Sequence, residues 1–420
     1  LTQLDPGRIL APSGIRRKWS FPMRLPLLAA TLTLAATMAT AEPSPISAEI
    51  AATGIKATEA RLAALTAPTP PDLFALAGLR FLSGVEGALQ LRWQTGFDAD
   101  WSELPVLRLP IPQNPNARPF EAQDLTTLLT DLDADMDDAR AALDQLGTQD
   151  FALELSVSDL WFDINMNATR EEGEDVFSVA GLTLGARGMV QADMIAPSIR
   201  FDTADAAWLN AYTHLLSAFA DVALAYDPAS AVDRVITASH AMAELQGTTP
   251  PHNAMDMMFG HWIDRAAIIL NALSNKPDDT LTQSAHAHLL AVITENKRFW
   301  SLIAIETDND SEWIPNARQV SGLGIQMPEG IGERWQAILA DAEKILKGEL
   351  LVPHWRYGAE AGIDIKMMFE NPPAVDLVAM VQGEGFLPYA RKGPQASAQS
   401  WREFERLVWG DAVLFAVFFN

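Results

Sequence analysis

The chain has 420 residues, with 54 acidic against 30 basic side chains and a formal net charge of −24. A surface this negative repels phosphate backbones and anionic lipid, which argues against a nucleic-acid partner and against attachment to acidic membranes. Cysteine is absent, so disulfides, thiolate nucleophiles, iron–sulfur clusters and Cys-type zinc sites are excluded, while 49% hydrophobic and 20% charged residues are the balance of a folded chain.

The first feature in chain order is a basic stretch, Arg16, Arg17, Lys18 and Arg24, ahead of a short run of Leu, Ala and Thr over 27–38. Ala39-Thr40-Ala41 then supplies the small-x-small pattern of a cleavage site. Residues 1–41 are therefore expected to be a secretory signal peptide, with Met23 as the true start and 1–22 as upstream sequence. The run is too short to anchor comfortably in a bilayer. The remaining 42–420 is expected to be a periplasmic or secreted soluble domain, with no stable membrane insertion after cleavage.

Apolar residues at helical spacing predict helices over 46–65, 73–93 (capped by Asp72), 124–146 and 205–226. Further helices are expected over 230–245, 254–273, 280–307 and 328–347. Prolines 68, 70 and 71 break the first pair, and five prolines between 105 and 119 mark an extended connector. In the helix over 205–226, Leu209, Tyr212, Leu216 and Phe219 form one stripe, and Trp208, Leu215 and Val222 form a second. That width predicts a central, surrounded helix. Between the helical halves, Leu153, Leu155 and Val157 alternate with polar residues, and 194–201 offers a partner strand. The apolar residues 413–419 are expected to be buried.

The fold class that follows is mainly α, a multi-helix globular protein with a small β insert around residues 151–201. The single domain 42–420 divides into a helical part 42–150, the β/loop insert 151–201 and a helical part 202–420. Its helical hairpins are similar in shape, though not in consensus residues, to helical-repeat proteins of the tetratricopeptide type.

Within the insert, Asp163, Asn165, Asn167, Thr169, Glu171 and Glu174 fall at positions 1, 3, 5, 7, 9 and 12 of a twelve-residue stretch. In this pattern the stretch resembles the EF-hand calcium loop, where alternate residues of a curling chain converge on one hard cation. The resemblance implies calcium as the cofactor, with Thr169 contributing its backbone carbonyl and Glu174 closing the sphere. Two departures stand out. Position six holds Ala168 where the loop favours Gly, and the two Asn lower the ligand charge.

An alternative metal site comprises His240 and Glu244, four apart on one helix face, with His261 beyond them. Imidazole and carboxylate ligands of that kind serve metal-dependent hydrolases. Met242, Met255, Met257 and Met258 near these histidines would suit copper(I), although Met255, Met258 and Trp262 are spaced as core residues. His286 and His288 form an H-x-H pair, and Glu384 between two glycines, near Tyr389 and Arg391, marks a candidate loop. No nucleophile elbow, phosphate loop or dinucleotide turn occurs. The expectation is a binding or structural protein rather than an enzyme.

Overall fold

A computed structural model describes residues 44–97, 111–176, 198–246, 254–309, 311–322, 330–397 and 402, without the side chains of 246, 254–258 and 261. The expected signal peptide, the first part of the proline connector and the apolar run 413–419 lie outside the described residues. Within them the fold is mainly helical, with two small antiparallel sheets.

Helix α1 (Pro45–Ala63) bends at Gly54, whose φ of 81° and ψ of 179° leave the helical region altogether. Helix α2 (Pro70–Thr95) begins at the two prolines that the sequence suggested as a break. Proline suits a first turn, where its missing N–H has no partner to lose. Asp72 is the third helical residue, and its carboxylate folds back to accept the Thr69 N–H at 2.9 Å. The same device starts α3 (Ala122–Leu146), where Asp124 accepts the Glu121 N–H at 2.8 Å. It recurs in α4 (Thr203–Ala225), where Asp205 accepts the Asp202 N–H at 2.9 Å.

Between α3 and α4, strand β1 (Leu153–Ser156) pairs antiparallel with β2 (Ser198–Phe201), Leu153 opposite Phe201. The strand suggested by the alternation of Leu153, Leu155 and Val157 ends at Ser156, where the chain turns into a 3-10 segment, Val157–Asp159. A first apolar core gathers Ile50 and Leu62 of α1, Leu79 and Leu89 of α2, and Leu143 and Leu146 of α3 with Leu153 of β1. Burying each such side chain contributes roughly 1.5–3 kcal/mol.

After α4 come α5 (Pro228–Gln246), α6 (Ala254–Leu273), α7 (Asp279–Ile305) and α8 (Ile331–Leu346). A second core joins Ala207 of α4, Phe299 and Trp300 of α7, and Trp335 and Leu339 of α8, and Trp208 packs against both cores. Helix α4 lies against both α3 and α7. It is central as expected: Leu209 is buried and Trp208 packs against both cores, alongside the buried small residues Ala207, Ala211 and Ala218. Phe219 and Val222 are instead exposed, at 51% and 37%. Trp262 of α6, spaced as a core residue, is 58% exposed.

The remainder carries a sheet that the sequence did not suggest: β3 (Val352–Pro353), β4 (Ala361–Ile363) and β5 (Ala390–Lys392), in that order and antiparallel. Two short helices, α9 (Ile365–Glu370) and α10 (Leu377–Gln382), connect β4 to the 3-10 segment Glu384–Tyr389 before β5. No single described helix is long and apolar enough to cross a membrane.

Candidate functional site

Residues 163–174 form a loop whose ends are tied together and whose first residue is gripped by α2. Trp161 pairs with Asp175 as an antiparallel bridge, and the Phe162 N–H donates to the Glu174 carbonyl at 2.9 Å. Glu86 and Gln90, four apart on one face of α2, hold the two sides of Asp163. Glu86 Oε2 accepts the Asp163 N–H at 2.9 Å, and Gln90 Nε2 donates to the Asp163 carbonyl at 2.8 Å. Burial pushes Glu86 up to about 7, against the opposing pull of that hydrogen bond and of Lys56.

Inside the loop the Asp163 carboxylate accepts two backbone N–H groups, from Asn167 and Ala168, both at 2.9 Å. Asn165 Oδ1 accepts the Asn167 N–H at 3.1 Å, and Asn167 Oδ1 accepts the Thr169 N–H at 2.8 Å. These successive Asx contacts curl the chain, and they carry Met166 and Ala168 into left-handed backbone with φ of 60° and 57°. For an L residue that conformation costs energy, so the loop holds Ala168 where a glycine would rest without strain.

The acidic ends complete the arrangement. Glu171 lies between the two amides, its oxygens 3.0 Å from Asn165 Nδ2 and 2.7 Å from Asn167 Nδ2. Glu174 is buried, and both its oxygens accept backbone N–H groups, from Ile164 at 3.0 Å and Glu171 at 2.9 Å. Burial raises the Glu174 pKa, while these backbone bonds oppose the shift. The side-chain oxygens of Asp163, Asn165 and Asn167 thus accept the loop's own N–H groups, Glu171 accepts the two amides, and Glu174 clasps the ends. The donors are hard oxygens, the set that calcium takes.

The alternative group is less well assembled. His240 and Glu244 are exposed on α5, and the side chain of His261 lies outside the described residues. Met242 is 48% exposed, and the side chains of Met255, Met257 and Met258 are not described. The Glu384 loop has structural partners: Tyr389 donates its hydroxyl to the Asn371 carbonyl at 2.7 Å, and Arg391 Nε donates to Asp364 at 2.7 Å.

Two clusters escape sequence reasoning because they join residues far apart in the chain. Asp202, Glu306 and Glu312 bring carboxylate oxygens within 4.8 Å of one another, an arrangement able to hold a cation. Arg200 Nη1 lies 2.8 Å from Asp308 and 3.7 Å from Asp202 beside them. Burial, reinforced by Asp202, pushes Glu306 up to about 7, and fully buried Asp205 is raised well above the usual carboxylate range. In the second cluster His214 of α4 and His288 of α7 place their Nδ1 atoms 2.8 Å apart. Burial and the nearby Arg140 lower both pKa values, His214 to about 4, so both rings are neutral at pH 7.

A cleft of about 610 Å³ runs between α1, α2 and α3, and Gln90 lines it while also holding Asp163. No protein-family model matches the chain, and no curated protein or solved structure matches it either.

Proposed function

We propose that the protein is an exported binding or structural protein that takes one calcium ion in the loop 163–174. The observation that carries this reading is the pair of hydrogen bonds from Asn167 and Ala168 to the Asp163 carboxylate. They curl the loop, Glu171 takes the amides of Asn165 and Asn167, and position six takes the left-handed backbone that the calcium pattern asks for. Asp163, Asn165, Asn167, Glu171 and the Thr169 carbonyl are the ligands in this reading. Glu174 keeps the ends closed.

With two neutral amides among the ligands, the affinity belongs at the weak end, on the order of 10⁻⁴–10⁻³ M. That suits an extracellular or periplasmic setting, which the basic and apolar segments ahead of Glu42 support. Thermal melts with calcium and with chelator test the reading. Calcium at ~100 times its dissociation constant should add about 2.7 kcal/mol of stability, and Asp163→Ala should remove the effect. Equal melts with and without calcium would count against it. Sequencing of secreted or periplasmic protein should begin at Glu42; recovery from cytoplasm alone would reject export.

A further inference from the structure

Helix α6 is apolar on two faces, and the fold covers one of them. Its Ala272 is buried, Ala267, Ile268 and Asn271 are half-buried, and α5 packs alongside. The Val375 N–H ties down the end of the helix, donating to the Leu273 carbonyl at 2.7 Å. Phe259, Trp262, Ile263, Ala266, Ile269 and Leu270 are exposed. Their spacings of three and four residues put all six on one stripe, the pattern of a seam between two helices.

Area, charge and the order of the side chains all bear on what covers this stripe. The five large side chains remain between 42% and 63% exposed, which leaves on the order of 100 Å² of each in water. Roughly 500 Å² on each of two copies makes ~1,000 Å², the size at which a specific interface begins.

With a formal net charge of −24, the chain repels both its own kind and anionic lipid over most of its surface. Between Phe259 and Leu273 the charged residues are Asp264 and Arg265, which cancel, and the Arg265 guanidinium lies 5.1 Å over the Trp262 ring. Two copies can meet here without setting acid against acid.

The stripe also matches itself. Antiparallel about an axis through Ala266, Ile263 meets Ile269 of the second copy, Trp262 meets Leu270, and Phe259 meets Leu273. Each bulky ring then faces an aliphatic side chain, and the small Ala266 at the axis lets the two helices come close. A parallel pair would set Trp262 on Trp262 and align the helix dipoles, which antiparallel packing opposes.

We propose that α6 is a dimerisation helix, through which two copies of this chain pair by the exposed stripe, antiparallel about a two-fold axis at Ala266. The same patch is used by both copies, so the assembly closes at two. The pairing is independent of the calcium loop.

Sedimentation equilibrium of the full chain should show a dimer that dissociates on dilution. Ile263→Glu and Leu270→Glu should each weaken it at least about 30-fold, as loss of a central anchor does. Both positions are exposed, far-ultraviolet circular dichroism reports whether each variant folds, and either one that folds decides the matter. Val378→Glu, at an exposed valine of α10, should dimerise as wild type does, and so should Asp163→Ala. Cross-linking reads the orientation, because the chain has no cysteine of its own. Ala266→Cys should give a disulfide-linked dimer on mild oxidation. Two copies of Phe259→Cys would lie about 21 Å apart along the antiparallel pair and should not link. A wild type that stays monomeric overturns the proposal and leaves the stripe to another protein or to the chain's own apolar residues 413–419. A dimer of wild-type strength in a folded Ile263→Glu or Leu270→Glu variant overturns it too. So does a Phe259→Cys link that forms as readily as that of Ala266→Cys.

Discussion

The indole Nε1 of Trp161 donates to the carbonyl of Ile50 at 2.9 Å, across the bend that Gly54 puts in α1. The bend and the bond depend on each other. A Cβ on residue 54 would lie 2.9 Å from Trp161 Cζ2, so only glycine lets the ring lie against the helix. Trp161 is 2% exposed and leads directly into the loop at Asp163, so α1 helps set where that loop begins.

Gly54→Ala is therefore expected to destabilise the protein twice over. The backbone, with φ of 81° and ψ of 179°, is open essentially to glycine alone and costs an L residue about 1–3 kcal/mol. The overlap with Trp161 adds to that. Urea titration followed by tryptophan fluorescence should show the loss, and a midpoint equal to wild type would mean that α1 can straighten without cost.

Much of the helical frame was legible in the sequence, and the errors at its helix starts have one physical origin. Periodicity located α2, α3 and α4, but each was expected to begin close to its first acid. Asp72, Asp124 and Asp205 instead sit at the third helical position and fold back on the residue before the helix. An acid ahead of an apolar run looks the same in sequence whether it caps or folds back. The loop 163–174 was legible because its oxygens follow one another along a single stretch. His214 and His288 were not, since 74 residues separate them and only the packing of α4 against α7 unites them. The sheet β3–β5 escaped because its strands of two and three residues are too short to show alternation.

The α2–α3 crossing separates glycines that look alike in sequence. A Cβ on Gly84 would lie 2.8 Å from Leu132 Cδ1, whereas Gly78 and Gly87 have open space at that point. All three are helical. Gly78→Ala and Gly87→Ala should each stabilise α2 by about 0.5–1 kcal/mol, the ordinary helix penalty of glycine. Gly84→Ala should show no such gain, because Leu132 must move. Thermal melts of the three variants test the crossing, and equal gains at all three positions would place Leu132 elsewhere.

For the loop, Ala168→Gly should relieve a left-handed alanine and stabilise the calcium-free protein by about 1 kcal/mol. If that strain also resists closure on an ion, calcium affinity should rise. Glu174→Gln should act in the other direction. Its amide nitrogen cannot accept either the Ile164 or the Glu171 N–H, so one buried donor loses its partner. Melts in chelator isolate the structural part, and calcium titrations isolate the binding part. A Glu174→Gln variant as stable as wild type in chelator would show that the clasp contributes nothing.

The acids around the start of α4 should make stability fall as pH rises. Glu306 has its pKa raised from 4.5 to about 7, first by burial and then by Asp202. The folded state therefore holds this proton more tightly than the unfolded chain does. The resulting contribution is fully present below about pH 4.5 and is lost as pH climbs through about 7. Part of the side chain faces water, so after allowance for screening the loss is on the order of 1–2 kcal/mol. Asp202 and Asp205 are shifted in the same direction and steepen the trend. Glu306→Gln keeps an acceptor for Gln319 Nε2, which lies 3.2 Å from Glu306 Oε2, and removes the charge. The variant should match wild type near pH 5 and exceed it by about 1–2 kcal/mol near pH 8. Urea unfolding at the two pH values measures the difference directly. A gain of the same size at both would mean that Glu306 is already ionised at pH 5 and that its burial does not hold the proton.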